Sequence, residues 1–158
     1  MLAELHLRNL AVLAGANVEF GPGLNVLTGE TGAGKSIVVD GLALLSGARA
    51  SAELVRAGAE QLLVTGIFRG RDPEVEAQLA AAGIEPEGDE LVVRREIGRE
   101  GRNRVFLNDQ PATLRLLSEL APRLLRPHGQ RKELGLAAPD LQRAWLDRED
   151  LARLRDGH

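Results

Sequence analysis

The sequence contains no cysteine, which excludes disulfide scaffolds, thiolate metal sites and cysteine nucleophiles. Histidine is scarce as well: His6, His128 and His158 stand far apart, without the spacing of a metal-binding cluster. The first residues lack the basic region of a secretion signal, and no apolar run approaches the roughly 18 residues of a membrane span. We therefore expect a soluble intracellular protein without a zinc site.

Lysine is also rare, because the chain has 18 arginines and only two lysines, Lys35 and Lys132. The net charge of −3 argues against a protein that coats nucleic acid through basic charge alone, although local basic patches remain possible. A length of 158 residues with 44% hydrophobic residues suits one domain with a substantial core. The two lysines therefore stand out as positions where an ammonium has been kept.

A glycine-rich loop surrounds Lys35. Residues 29–36 read Gly-Glu-Thr-Gly-Ala-Gly-Lys-Ser and fit the phosphate-loop pattern G-x-x-x-x-G-K-[ST] in full. The apolar run Leu24–Leu27 predicts a strand before the loop, and the spacing of apolar residues over 36–46 predicts a helix after it. This strand, loop and helix context favours nucleotide binding over a glycine-rich structural turn.

Each residue type of the loop suits a phosphate ligand. Glycines at 29, 32 and 34 allow backbone N–H groups to approach phosphate oxygens, and the following helix points its positive end at them. Lys35 places a compact charge between the β- and γ-phosphates, and the small hydroxyl of Ser36 suits Mg²⁺. The predicted binding residues are Gly29, Glu30, Thr31, Gly32, Ala33, Gly34, Lys35 and Ser36, with Glu30 and Thr31 acting through their backbone N–H groups.

The acidic residue that hydrolysis requires is missing from the sequence pattern. Such a residue usually ends a second apolar strand, where it holds Mg²⁺ or polarises water. The nearest candidate, Asp40 after Ile37-Val38-Val39, falls inside the helix that follows the loop. Either further sequence completes the nucleotide site, or the protein binds nucleotide without turning it over.

The remaining apolar periodicity alternates strands with short helices. A strand around Leu5–Arg8 and an extended stretch through Phe20 are predicted to pair, and Gly47 is predicted to end the phosphate-loop helix. Further along, the pattern predicts a strand at 61–68, a helix at 73–82, a hairpin of strands 91–97 and 104–107, and a helix that Thr113 caps and that ends before Pro122.

The end of the chain changes character at Pro139, where a further helix is predicted. Between Asp147 and Asp156, seven of ten residues are charged, so this segment can cover little core. Composition alone leaves two alternatives open: a solvated terminal helix, or the root of a long helical arm.

Six ordered segments extend the motif evidence beyond the phosphate loop. They are Leu5–Leu10, Leu27–Ile37, Gly47–Ala50, Val93–Ile97, Gly101–Asn108 and His128–Gln130. Together they resemble the N-terminal head segment of the RecN family, bacterial DNA double-strand-break repair ATPases of the SMC-like, ABC-type superfamily. The phosphate loop alone would indicate only a P-loop NTPase.

The resemblance implies an α/β fold, the N-terminal lobe of a P-loop, ABC-ATPase-like head. Its mixed or antiparallel sheet would carry the phosphate-loop helix. Residues 1–138 would form this lobe with its P-loop and Q-loop, and residues 139–158 would begin a coiled-coil arm. The C-terminal half of the head would follow that arm and supply the missing acids. The resemblance also implies a cytoplasmic, nucleoid-associated bacterial protein without membrane contact.

The implied activity is ATP hydrolysis with Mg²⁺ in recombinational DNA repair. Hydrolysis would require the C-terminal half of the same head and a second head in a homodimer, so this segment alone is expected to be inactive. DNA would be a partner of the intact protein.

Three further site residues follow from the resemblance. Gln130 matches the Q-loop glutamine, which would contact Mg²⁺ and the attacking water and act with Lys35 in catalysis. Arg8 and Asn9 match residues that approach the nucleotide in related heads. The alternatives are a solvated loop glutamine and ordinary polar residues at the end of a strand. Arg131 replaces the histidine that the family usually has after the glutamine, so it receives no role.

Arginines are concentrated in the predicted hairpin. Residues 94–104 contain five arginines and two glutamates, a local excess that could contact phosphates. Successive residues of a strand point to opposite faces, so the five cannot share one patch, and a solvated hairpin is favoured.

Two other functions remain open on the residues alone. The first is a self-contained P-loop kinase acting on a small molecule, although neither an acceptor site nor a lid is recognisable. The second is an interaction module in which nucleotide controls dimerisation.

Overall fold

A six-stranded antiparallel sheet forms the framework of the computed structural model, which describes residues 1–21 and 32–125. The strand order is β2-β1-β3-β4-β5-β6. The strands are β1 Leu2–Leu10, β2 Leu13–Glu19, β3 Gln61–Arg69, β4 Glu90–Gly98, β5 Asn103–Leu107 and β6 Gln110–Ala112. The helices are α1 Gly32–Leu45, α2 Pro73–Ala81 and α3 Leu114–Leu124, with a short 3₁₀ turn at Ala52–Leu54.

The predicted α/β fold is confirmed, and every pairing of the described strands is antiparallel. The predicted pairing of the first two strands is also confirmed, with Leu5 opposite Val18. The predicted strand at 24–27, Gln130 and the predicted arm at 139–158 lie outside the described residues. No helix in the described ranges is long and apolar enough to cross a membrane.

The hydrophobic core lies on one face of the sheet. Alternating side chains of the central strands point to this face, as Leu5 and Leu7 of β1 and Val64 of β3 do, and each is at most 1% exposed. Helices α1 and α3 contribute their apolar sides, and each fully buried leucine stabilises the fold by about 1.5–3 kcal/mol. Two glycines allow α1 to lie close to the sheet. A β-carbon on Gly41 would lie 2.6 Å from Leu7 Cδ2, and one on Gly66 would lie 2.7 Å from Leu45 Cδ1.

Helix α1 begins earlier than predicted, at Gly32 instead of residue 36. The predicted loop therefore overlaps the first helical turn, since the four residues at 32–35 already have helical backbone. The end of α1 is as predicted: Gly47 has a φ of 88°, its N–H donates to Leu44 O, and Ala48 N–H donates to Ala43 O. This pair of bonds is the Schellman arrangement, which satisfies carbonyls at the end of a helix.

The predicted helix at 73–82 is confirmed as α2, and its first turn carries a cap that the sequence analysis does not predict. The Asp72 side chain accepts a hydrogen bond from Glu74 N–H at 3.0 Å, and Pro73 occupies the first turn. Gly83 follows the helix with a φ of 75°.

Helix α3 contradicts the prediction that it ends before Pro122. The Thr113 side chain caps it as predicted, accepting from Leu116 N–H at 3.0 Å, but the helix continues to Leu124. Proline removes one donor close to the end of the helix, and Leu125 N–H still donates to Ala121 O at 2.8 Å. Burial of Ala121 and packing of Leu124 and Leu125 against the core stabilise this last turn.

The predicted hairpin is confirmed as β4 and β5, but the sequence reading missed β6. Asn108 and Asp109, with φ of 49° and 61°, form the two-residue turn between β5 and β6. Two consecutive residues with positive φ are typical of a tight hairpin turn, and asparagine and aspartate tolerate this conformation better than most residues.

Candidate nucleotide-binding site

The N-terminal end of α1 is the part of the predicted phosphate site that the structure describes. The helix begins at Gly32, within the glycine-rich motif, so its unpaired backbone N–H groups and positive dipole end belong to that motif. Ser36 lies in the first turns of α1 and is exposed. Residues 29–31 and the side chains of residues 32–35, including Lys35, lie outside the described part. A helix end of this kind suits phosphate oxygens, and the accessible Ser36 hydroxyl suits a hard cation.

Contacts along α1 fix its course across the sheet. Gly41 lies against Leu7 of β1, and Leu45 lies against Gly66 of β3. The end of the helix reaches β4, where Arg95 donates hydrogen bonds to the carbonyls of Leu44 and Ala48. The helix therefore passes over three strands, with the phosphate motif at one end and Arg95 at the other.

Arg8 and Asn9 differ in their surroundings. Arg8 is exposed and follows Leu7 on β1, so its side chain lies on the face of the sheet opposite α1. Asn9 has a φ of 54°, and its Nδ2 donates to Gln61 O at 3.3 Å. The backbone carbonyl of Asn9 also accepts from Arg56 N–H at 2.8 Å. Asn9 thus has a local structural role, and a nucleotide role for either residue stays a prediction.

The nearest candidate for an acid at the end of an apolar run, Asp40, lies within α1 as predicted. Burial raises its pKa, because a carboxylate is poorly solvated there. Across residues 1–21 and 32–125, no group of three or more histidine or acidic side chains could hold a metal ion.

Arg95 is the residue that the sequence reading placed wrongly. It was grouped with a solvated arginine hairpin, but it is 0% exposed on the core face of β4. Its Nη1 lies 2.9 Å from Leu44 O and 2.5 Å from Ala48 O, and its Nε lies 3.2 Å from Asn103 Oδ1. Desolvation lowers its pKa to about 10, so the guanidinium is still charged at neutral pH. Alternate residues of a strand lie on the same face, so the apolar Val93 two positions earlier is the sequence signal that Arg95 faces the core.

Arg94, the next residue, lies on the opposite face of the sheet. Its guanidinium carbon is 4.4 Å from the centre of the Phe106 ring, and its side chain forms ion pairs with Glu96 and Asp109. Phe106 therefore contacts a cation on the outer face of the sheet and does not belong to the buried core. The prediction that the hairpin arginines do not share one patch is confirmed.

Comparisons with known proteins find one matching family model and a set of similar DNA repair proteins. The AAA domain family (AAA_23) matches residues 4–106. The DNA repair protein RecN of Mycobacterium leprae is 41% identical over 155 residues, which cover 94% of this chain and 26% of the relative. RecN of Streptomyces coelicolor is 41% identical over 145 residues, covering 91% of this chain and 25% of the relative. The chain thus spans about a quarter of the length of these relatives.

Solved structures show the same fold. A structure described as "Structural biochemistry of ATP-driven dimerization and DNA stimulated activation of SMC ATPases" matches with a TM-score of 0.63 and 21% identity, covering 92% of this chain and 97% of that one. The SMC head domain from Thermotoga maritima matches with a TM-score of 0.57 and 23% identity, covering 75% of this chain and 41% of that one. The predicted resemblance to RecN and the head-type fold are both confirmed.

Proposed function

Since this chain belongs to the AAA domain family, we propose that it is the ATP-binding, N-terminal half of a RecN-type DNA repair ATPase head. The observation that carries this proposal is the start of α1 inside a complete phosphate-loop motif. The similarity to RecN proteins over 94% of the chain supports the repair role, and cytoplasmic action follows from it.

Different residues of the motif would bind different parts of ATP. Backbone N–H groups of the loop and of the first turn of α1 would bind the phosphate oxygens, and the dipole of α1 would favour their negative charge. Lys35 would lie between the β- and γ-phosphates. Ser36 and Gln130 would hold Mg²⁺, which would supply positive charge to the phosphate oxygens.

Hydrolysis would need two further partners. The described residues offer no acidic cluster for the metal, so the C-terminal half of the same head would supply those acids. A second head would close over the nucleotide, and DNA would be bound by the assembled protein. Because these groups would come from other segments, we expect the 158-residue chain to bind ATP but to hydrolyse it at most slowly.

Nucleotide binding by two lysine variants tests the proposal. Lys35→Ala should abolish Mg²⁺-dependent ATP binding, measured by calorimetry, while circular dichroism shows that the fold is kept. Lys132→Ala removes the only other lysine and is the matched control, for which the affinity should not change. Equal affinities for all three proteins would disprove the assignment of Lys35.

Steady-state ATPase assays test the incompleteness of the site. Addition of the C-terminal half of the head should raise turnover at least tenfold above that of the chain alone. Rapid turnover by the chain alone, or phosphate transfer to a small molecule in a metabolite panel, would instead favour a self-contained enzyme such as a kinase.

A further inference from the structure

Arg95 is a buried cation without a carboxylate partner among the described residues. It is 0% exposed, and its three hydrogen-bond acceptors are the carbonyls of Leu44 and Ala48 and the side-chain oxygen of Asn103. Its Nη2 finds no hydrogen-bond partner in that part of the chain. Burial of a charge with incomplete hydrogen bonding is costly, and an apolar side chain of similar volume often stabilises a fold equally well. Stability alone therefore does not explain an arginine at this position.

Two of the hydrogen-bond acceptors of Arg95 lie at the C-terminal end of α1. Leu44 and Ala48 flank the turn at Gly47 that ends α1, and a cation here complements the negative end of the helix dipole. The core contacts of α1 with Leu7 and Gly66 set its course over the sheet, but they are apolar and non-directional. Hydrogen bonds from a planar guanidinium are directional and fix the end of α1 in position above β4.

We propose that Arg95 is a positioning residue for nucleotide binding: by holding the C-terminal end of α1 on β4, it sets where the phosphate loop at the other end lies. The inference rests on the proposed ATP-binding function. Helix α1 has 14 residues and is a rigid rod about 20 Å long, so displacement of one end moves the other. Displacement of a binding group by about 1 Å can cost a factor of about 100 in function, so a small shift matters.

Asn103 extends this link to the neighbouring strand. Its Oδ1 accepts from Arg95 Nε at 3.2 Å, and it is the first residue of β5, opposite Ile97 of β4. The guanidinium thus joins α1 to both strands of the hairpin. Removal of the Asn103 amide should loosen the same restraint by a smaller amount.

The neighbouring Arg94 provides a matched control for the experiment. It lies on the opposite face of the same strand, where it contacts Phe106, Glu96 and Asp109 and no residue of α1. Arg94→Met and Arg95→Met make the same chemical change one residue apart. Only the second change removes contacts with the phosphate-loop helix.

Binding of a fluorescent ATP analogue with Mg²⁺ to the 158-residue chain tests the proposal. Measurements are made well below the thermal midpoint of every variant, so that the folded fractions are equal. Arg95→Met should weaken binding at least tenfold without a change in the number of sites, and Arg95→Lys should recover part of the loss. Arg94→Met should bind as tightly as the unmodified chain. A purely structural role would lower the number of competent sites and leave their affinity unchanged.

The outcomes separate this inference from the function on which it rests. Folded Arg95→Met that binds as tightly as Arg94→Met would overturn the positioning role and leave ATP binding intact. An unmodified chain that binds no nucleotide would overturn the proposed function and this inference together. If Arg95→Met does not fold, the Asn103→Ala variant provides the test. About threefold weaker binding of the analogue would support the positioning role of Arg95, and an unchanged affinity would overturn it.

Discussion

Asp72 joins helices α2 and α3 through Arg123, because Oδ2 of the carboxylate lies 3.1 Å from Nη1 of the guanidinium. The other oxygen, Oδ1, accepts the hydrogen bond from Glu74 N–H that caps α2. Arg123 also pairs with the Glu74 side chain. Burial acts to raise the pKa of Asp72, but its hydrogen bonds with Arg123 and with the backbone of Glu74 outweigh this effect and lower it below 3.8.

Asp72→Ala should lower the free energy of unfolding by about 1–2 kcal/mol, through loss of the cap and of the ion pair. A lowered pKa means that the charged form stabilises the fold above the pKa of the unfolded state. The difference from the unmodified chain should therefore be full at pH 7 and shrink as the pH falls below 3.8. Urea titrations across this pH range measure it, and a pH-independent difference would contradict the assignment.

Gly47→Ala should destabilise the fold more than Gly83→Ala. Both glycines have positive φ, 88° and 75°, so each substitution carries a backbone cost of about 1–2 kcal/mol. A β-carbon at Gly47 would also lie 2.3 Å from Ser118 Oγ, whereas one at Gly83 meets nothing within 4 Å. Thermal unfolding of both variants gives the comparison. Ser118→Ala should relieve part of the Gly47→Ala loss, and strictly additive effects would show that no clash exists.

Asn108→Ala should cost about 2–4 kcal/mol, because it breaks buried hydrogen bonds and leaves alanine in a left-handed conformation. The Asn108 side chain accepts from Val92 N–H at 2.9 Å and donates to Glu85 O at 3.2 Å. Asp109→Ala, at the neighbouring exposed turn residue, is the control and should cost less. Chemical denaturation measures both, and equal losses would argue against the role of the buried bonds.

Asp40→Asn should stabilise the chain at neutral pH. Burial raises the pKa of Asp40, so the folded state binds a proton more tightly than the unfolded state and loses stability as the carboxyl ionises. The gain from Asn should be present above the raised pKa and disappear as the pH falls below 3.8. Melting temperatures of the two proteins at pH 7 and in acid measure this difference, and a gain that persists in acid would point to another cause.

Ser36→Ala should weaken ATP binding in the presence of Mg²⁺ by about tenfold, since the proposed metal-binding hydroxyl is removed. Binding measured with EDTA should change little, because the phosphate-binding N–H groups remain. Calorimetry under both conditions makes the comparison, and an equal loss with and without the metal would argue against a metal-binding role.

Local patterns predicted the strands and helices well, and the misses have physical causes. The alternation in β1 and β3 and the cap at Thr113 are signals within a few residues, and they predicted the right elements. Pro122 was misread because tertiary burial of the last turn of α3 outweighs one lost hydrogen bond. Strand β6 was missed because its three residues carry no periodicity, and only the Asn108-Asp109 turn marks it.

The site could be predicted only as far as its contiguous motif. The motif at residues 29–36 predicts phosphate binding without knowledge of the fold. Arg95 contacts carbonyls about fifty positions away along the chain, and no local pattern encodes such a contact. The high charge of residues 94–104 predicted a solvated hairpin, and this prediction is wrong for Arg95, which is buried.

The order of the strands has a consequence for how the chain folds. Strands β3 to β6 pair with their sequence neighbours. Two of the three connections are short turns, and the third, residues 70–89, contains α2, so each pairing closes at a modest entropic cost. The chain between β1 and β3 instead contains the phosphate motif and the whole of α1, so the pairing of these two strands closes a longer loop. Because pairings between distant segments form slowly, we expect the β3–β6 meander to assemble first. Helix α1 would then pack late, when β1 joins the edge of the meander at β3.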